Sequence, residues 1–388
     1  MSRKWMALMA LLVMAVVVSA PLVTASLAHA GALEDAIAAT PQGTAKGQID
    51  HQAPKGYLGI PGAVKVNLIY GFLWAIWVGW IFSTVGAFGG IMAGVGHLTI
   101  FGLGDYAKSF GKTPLNKILT DSIRVSNQWL VGLSALISSI NYARMGRLVF
   151  PLGICLAIGS VIGSYLIPEL TAGKISLKAY MGYFGLCVFI IGGFLYYKTT
   201  ERGRRGKQAA KEAAAAFEAE SKKKTGDEAA ASTEKKGVKV LKWGIGKITF
   251  TFYGVEFSFR PIIPVIGGFF IAALASFLGI GGGFLFVPFL TSIAGLPMFL
   301  VAGTSALTVL VGMAVSIFSY MAFQAVPVDW TLIGAELVGI FVGSMIGPRT
   351  SKYIPDIWLQ RIFVILALYV GLRYTTKGFF GQSIVPPF

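Results

Sequence analysis

A ten-residue pattern, Gly159-x-x-x-Gly163-Ser164-x-x-x-Pro168, returns as Gly339-x-x-x-Gly343-Ser344-x-x-x-Pro348. Each copy sits inside a long apolar stretch, one in each half of the chain. Hydrophobic segments surround both copies in the same order and at similar lengths. An apolar half written twice is the mark of a membrane transporter assembled from two structural repeats.

Charge is almost missing from these stretches. Leu148 to Ile167 and Leu300 to Phe323 carry none. As helices, runs of about 20 apolar residues match the ~30 Å of bilayer hydrocarbon. Helices buried in a soluble core show polar faces at helical spacing, and these runs lack them. Over all 388 residues 13% are charged, against about 25% in soluble domains. The 49 glycines suit helices that approach closely in lipid. The expectation is an all-α, polytopic inner-membrane protein with two repeated helical halves of about four spans each, each opening on a glycine-broken helix.

The segments divide the chain. Arg3, Lys4, the apolar run Trp5 to Val23 and Ala28-His29-Ala30 read as a signal peptide or retained N-terminal helix over 1–30. Residues 31–62 are polar and extracytoplasmic in this reading. The first repeat, 63–198, holds spans near Val66 to His97, Ser126 to Ala143, Leu148 to Ile167 and Ala179 to Tyr197. The second, 261–376, holds Pro264 to Leu290, Leu300 to Phe323, Trp330 to Ile346 and Ile357 to Leu372, before a tail at 377–388. Between them, 199–260 is a basic linker, disordered in part. Lys198 to Lys247 carries 14 Lys/Arg against 7 Asp/Glu, which places it in the cytoplasm and accounts for much of the +16 net charge without nucleic acid. Within the linker, Ile248 to Phe259 alternates as a hairpin does. Four simple spans would leave the linker on the same side as 31–62, so Val66 to Leu103 is expected to cross twice or fold back.

Gly279-Ile280-Gly281-Gly282-Gly283, with Pro288 beyond, carries the strongest hint of chemistry. Glycine costs a helix about 1 kcal/mol relative to alanine, so the run should break one inside the membrane. Broken backbone is tolerated there only against protein or a wet cavity. A half-helix starting at the break aims free N–H groups and a positive dipole end at an anion; close helix packing is the other reading. Gly86, Gly89 and Gly90 occupy the matching place in the first half. Thr304 and Ser305 are helix N-cap types or hydroxyls for an oxyanion. Ser126, Asn127 and Gln128 stand at the aligned place in the first half. Glu336 is an intramembrane carboxylate, a proton-coupling candidate or one half of an ion pair. Arg124 reads as a flanking interfacial charge, and His97 as a satisfied polar group. Cys155 and Cys187 read as small buried thiols. The sequence has three histidines and no metal-ligand, Walker or nucleophile-elbow motif, so neither an enzyme nor a cofactor is expected.

The second half resembles the TauE/SafE sulfite exporter family of secondary transporters. The ordered set is Gly279-Ile-Gly-Gly-Gly283, Val287-Pro288, Gly295-Leu-Pro297, Ala302-Gly-Thr-Ser305, Val328-Asp329-Trp330, Gly339-x-x-x-Gly343-Ser344-x-x-Gly347 and Ile354-Pro355. The first half fits as a degenerate copy. The basic insertion and the polar N-terminal extension depart from the compact family pattern. The resemblance implies passage of a small sulfur-containing anion, such as sulfite or a sulfonate, across the inner membrane. The partners expected are that small anionic solute and membrane lipid, with a homo-oligomer compatible. The alternative function is a non-transporting membrane subunit that docks a cytoplasmic partner through the basic loop.

Overall fold

A computed structural model describes residues 31–85, 89–200, 238–252, 254–279, 281–292, 296, 298–350, 353 and 356–386. The expected signal over 1–30, the glycine Gly86 and the 201–237 part of the basic linker lie outside the described residues.

The first half forms helices α1 (Leu68–Val85), α2 (Gly89–Val95), α3 (Leu103–Ser109), α4 (Pro114–Arg144), α5 (Phe150–Thr171) and α6 (Leu177–Thr199). The second forms α7 (Ile262–Leu278), α8 (Gly283–Ser292), α9 (Met298–Phe318), α10 (Trp330–Thr350) and α11 (Asp356–Phe379). π-turns at Gly96–Ile100 and Ser319–Phe323 extend α2 and α9. The chain is mostly helical, and one correction to an all-α protein is needed. Strands β1 (Val238–Lys242), β2 (Ile248–Phe252) and β3 (Val255–Phe259) form an antiparallel sheet in that order. Alternating aromatics make it stable: Phe250 stacks on Phe257 at 5.4 Å and is buried with Phe252.

Among the described residues, four helical stretches are long and apolar enough to cross a bilayer: Phe150–Thr171, Leu177–Phe194, Leu300–Phe323 and Trp330–Gly347. Leu68–Thr84, Gly89–Ile100 and Ile262–Leu278 are shorter apolar helices. This is a multi-pass membrane protein. The expected span Ser126 to Ala143 belongs to α4, a 31-residue helix. Protein surrounds α4 along most of its length, which permits its many polar side chains.

Glycine decides which helices touch. In lipid no hydrophobic drive separates helix from tail, so close van der Waals packing must supply the attraction. Gly159 and Gly163 of α5 lie against the α7 backbone at Val265 and Phe269. Gly339 and Gly343 of α10 lie against the α1 backbone at Phe72 and Ile76. Each copy of the repeated pattern therefore grips the opening helix of the other half, in parallel. Two other pairs run antiparallel, α6 with α11 and α4 with α9. Gly182 of α6 meets Gly378 of α11 while Gly192 meets Ala367. Trp129 of α4 donates to Met321 Sδ beyond α9 at 3.3 Å, while Tyr142 packs on Gly303.

The opening segments double back. Trp74 Nε1 donates to the Met92 carbonyl at 3.0 Å, and Gly89 abuts Val78 and Phe82, so α2 returns along α1. Likewise Gly282 abuts Ala275 and Gly267 abuts Phe289, so α8 returns along α7. The 31–66 segment and the sheet consequently sit at opposite ends of α4. Tyr57 touches Ser122, whereas Val238 bonds to Gly146. At 1.5 Å per residue those two contacts are roughly 36 Å apart.

Candidate functional site

α4 starts firmly. Thr113 caps it by accepting the Asn116 N–H at 3.3 Å, with Pro114 in the first turn. Asn116 also donates to the Ala107 carbonyl at 2.6 Å and accepts the Leu177 N–H at 3.1 Å, fixing α3 and α6 against it. One turn further along, three polar faces emerge from this fixed rod.

The first face meets α2 and α10. His97 Nδ1 lies 2.6 Å from Asn127 Oδ1, and His97 Nε2 lies 3.1 Å from Glu336 Oε2. The amide oxygen accepts, so Nδ1 carries a proton. Nε2 then either donates to a carboxylate or accepts from the carboxylic acid, so the pair shares one further proton. His97 and Glu336 are both wholly buried. Glu336 Oε1 and Asn127 Nδ2 have no hydrogen-bond partner among the described residues. Unpartnered groups of this kind cost about 1–3 kcal/mol each.

The second face meets the glycine break. α7 ends at Leu278, and Gly279 caps it with φ of 68°. Gly281 and Gly282 also have positive φ, at 79° and 64°. A left-handed backbone costs other L-residues about 1–2 kcal/mol, and three in five positions leave glycine as the workable choice. α8 begins at Gly283. A side chain on Gly279 would press the Arg124 backbone at 3.0 Å. Arg124 is wholly buried. It donates to Asp121 Oδ1 at 2.7 Å, and to Thr171 Oγ1 and the Ser276 carbonyl, each at 3.3 Å. Its guanidinium lies 5.0 Å from the Tyr320 ring centroid and 5.5 Å from that of Phe277. Gln128 donates to the same Ser276 carbonyl at 3.4 Å, and Tyr180 donates to the Leu278 carbonyl. Thus side chains from α4 and α6 satisfy the last carbonyls of a helix stopped in mid-protein. Arg124 Nε and Gln128 Oε1 are left unpartnered among the described residues.

The third face meets the 31–66 segment. Tyr57 bonds Ser122 Oγ at 2.9 Å and Ser126 Oγ at 3.4 Å. Burial pushes its hydroxyl up to about 12, with the Asp329 and Glu336 carboxylates adding and the serines opposing. It stays protonated at any physiological pH. Above it opens a cavity of about 490 Å³, lined by Lys55, Tyr57, Lys65, Asp329 and Leu332 among others.

Among the expected site residues, Gln128 reaches the helix that stops at Gly279, through the Ser276 carbonyl, whereas Asn127 and Glu336 meet at His97. Ser126 faces Tyr57 instead. Thr304 and Ser305 lie elsewhere. Thr304 Oγ1 accepts the Val149 N–H at 3.1 Å, and Ser305 Oγ donates to the Ala302 carbonyl at 3.3 Å. With Gly303 against Tyr142, the pair sits about 22 Å along α4 from Asn127, at 1.5 Å per residue. Arg124 is wholly buried in protein, level with Thr171 at the end of α5 and with the turn beyond it, where Asp121 accepts the Gly173 N–H. The sequence contained a signal for it. Asp121 and Arg124 are three apart, one helical turn, and so face the same way.

The family model described as Sulfite exporter TauE/SafE matches residues 70–374. The chain belongs to the TauE/SafE family. That family is one of membrane transporters. A probable membrane transporter protein of Methanocaldococcus jannaschii is 30% identical over 132 residues, 32% of this chain and 48% of that relative. The chain therefore spans about half the length of the curated relative it matches. No solved structure matches. The TauE/SafE match takes in most of α1, all of α2 to α10 and most of α11, including all three faces of α4, and leaves the 31–66 segment outside.

Proposed function

We propose that the protein is a secondary transporter that carries a small sulfur-containing oxyanion or a sulfonate across the bacterial inner membrane. One observation carries the reading: a wholly buried arginine, with a free N–H, stands beside a helix broken inside the protein. A charge buried among the helices of a membrane protein is costly and is kept where solutes or ions pass. Arg124 offers charge-assisted donors to an oxyanion. Asn127 Nδ2 adds a neutral donor, and the Gly281–Gly283 backbone opens the N-terminus of α8 toward the same region.

The halves are read as inverted-topology repeats. Parallel cross-packing of α1 with α10 and of α7 with α5, beside antiparallel α4/α9 and α6/α11, is what a two-fold axis in the membrane plane produces. Under this reading the site lies at the repeat interface. By the positive-inside rule the sheet and basic linker face the cytoplasm, and 31–66 the other side.

Glu336 with His97 is the coupling pair. A proton that travels with a monovalent anion removes the charge from the step. Without it, an anion leaving a negative interior gains about 2.3 kcal/mol per 100 mV, which favours export. Purified protein in proteoliposomes, loaded with radiolabelled sulfite and given an outward gradient, should show saturable efflux. Efflux equal to that of protein-free vesicles, for sulfite and for a set of sulfonates, would remove the reading.

A further inference from the structure

The segment between residues 31 and 66 is a folded part of the protein. It is helical over 31–38, and Ala36, Ile49 and Ile60 are buried. Its tip is the turn Tyr57–Gly59. Tyr57 reaches past the 490 Å³ cavity to the hydroxyls of Ser122 and Ser126, and is 2% exposed. The neighbouring Leu58 has φ of 57°, a left-handed conformation that a leucine adopts only when held. It is held by Asp329, whose Oδ2 accepts the Leu58 N–H at 3.0 Å. The other oxygen of Asp329 caps α10 by accepting the Thr331 and Leu332 N–H groups, both at 3.1 Å. One carboxylate thus ties the tip of the segment to the helix that carries Glu336. Leu332 lines the cavity, and Glu336 follows it by one helical turn.

These contacts fall at one place. Below the turn lie Asn127, His97 and Glu336, all wholly buried; above it lies an open cavity with Lys55 and Lys65 at its wall. We propose that the turn Tyr57–Gly59 is a gate, in which the Tyr57 hydroxyl occupies the polar seat on Ser122 and Ser126 that a passing oxyanion needs. The inference rests on the transporter reading for what passes, and on the contacts alone for what closes. Opening withdraws the turn from α4. It gives up two serine contacts, the Asp329 tie and the burial of one aromatic ring, and it relieves the left-handed Leu58. Opposed terms of this kind leave a closed state that can be reversed. The two lysines then act as an attractive rim for the anion. The turn lies outside the TauE/SafE match, while Ser122, Ser126 and Asp329, which hold it, lie within it.

Thiol labelling tests the gate without any transported solute. The free cysteines Cys155 and Cys187 are replaced by alanine, and Ser126→Cys places one thiol behind Tyr57. A membrane-impermeant methanethiosulfonate reagent is added in proteoliposomes to the face that carries residues 31–66. Tyr57→Ala should speed labelling by about tenfold or more, as the accessible fraction rises, and Tyr57→Phe by less. Leu58→Gly removes the left-handed cost while keeping Tyr57, so it should slow labelling below that of the parent. The same rate in the parent and in a folded Tyr57→Ala variant overturns the gate. If Tyr57→Ala does not fold, Leu58→Gly decides: slower labelling supports the gate, and an unchanged or faster rate overturns it. Failure here with saturable sulfite efflux intact removes the gate alone; loss of efflux with gating intact removes the substrate reading alone.

Discussion

His97 Nε2 and Glu336 Oε2 lie 3.1 Å apart although 239 positions separate them in the chain. One side chain rises from the helix that folds back in the first half, and the other from the pattern helix of the second. The contact therefore closes across the two halves. Under the proposed coupling role, a motion of one half against the other would change this contact. Glu336→Gln keeps a hydrogen-bonding partner for His97 and removes the carboxyl group. In proteoliposomes, one pH unit supplies about 1.4 kcal/mol per coupled proton, enough for roughly tenfold accumulation. The wild-type protein is expected to accumulate sulfite against such a gradient, and the variant to equilibrate it without accumulation.

Arg124 and Asp121 form a buried pair at 2.7 Å. Arg124→Met alone leaves Asp121 buried and charged, a change that costs about 3–5 kcal/mol. Thermal unfolding in detergent should show the loss. Adding Asp121→Leu should restore most of the stability, because an apolar pair can replace a buried ion pair at little cost. Sulfite binding should remain absent in the double variant. Recovery of both stability and binding would show that Arg124 serves packing alone.

The glycines of the repeated pattern are expected to differ sharply from a glycine beside them. A side chain at Gly343 would strike the Ile76 and Trp80 backbone, whereas nothing lies within 4 Å of one added at Gly334. Gly343→Val should force α10 from α1 and lower stability by about 1–3 kcal/mol or more. Gly334→Ala, on the same helix, should be neutral or slightly stabilising through helix propensity. Unfolding temperatures of the two variants check this directly.

Thr304 gives a contrasting test. Its hydroxyl accepts the buried Val149 N–H, so Thr304→Val should cost about 1–3 kcal/mol of stability. Sulfite affinity should stay within a factor of about two, since the residue lies some 22 Å from Asn127. A selective loss of affinity with stability intact would return Thr304 to the binding site.

Much of this fold was written in the sequence, for identifiable reasons. The spans at Phe150–Thr171 and Leu300–Phe323 follow from charge-free runs, because the bilayer tolerates little else. The hairpin of β2 and β3 follows from alternation at Ile248–Phe259. The fold-back of α2 along α1 was forced by the charge of the linker, which could not share a side with residues 31–62. Asn127, Gln128 and Glu336 stand out in the sequence as hydrogen-bonding groups in apolar surroundings, and the structure buries all three. Thr304 and Ser305 lie near Val149 and Tyr142, away from Asn127. The two helices that carry these aligned clusters differ in length: α4 begins at Pro114 and is ten residues longer than α9 (31 against 21). Arg124 looked like a flanking charge because no apolar span was expected to start before Ser126. Burial by other helices, not by lipid, is what makes room for it. Tyr57 gave no signal at all, since one tyrosine in a polar segment has no pattern to betray its partner in space.

The most direct test of the account is counterflow of radiolabelled sulfite in proteoliposomes that contain unlabelled sulfite, comparing the wild-type protein with the Arg124→Met, Asp121→Leu double variant. The account expects a saturable, transient overshoot of label for the wild-type protein and none for a folded double variant. Equal overshoot in both, or none in either across sulfite and the sulfonates, would contradict it.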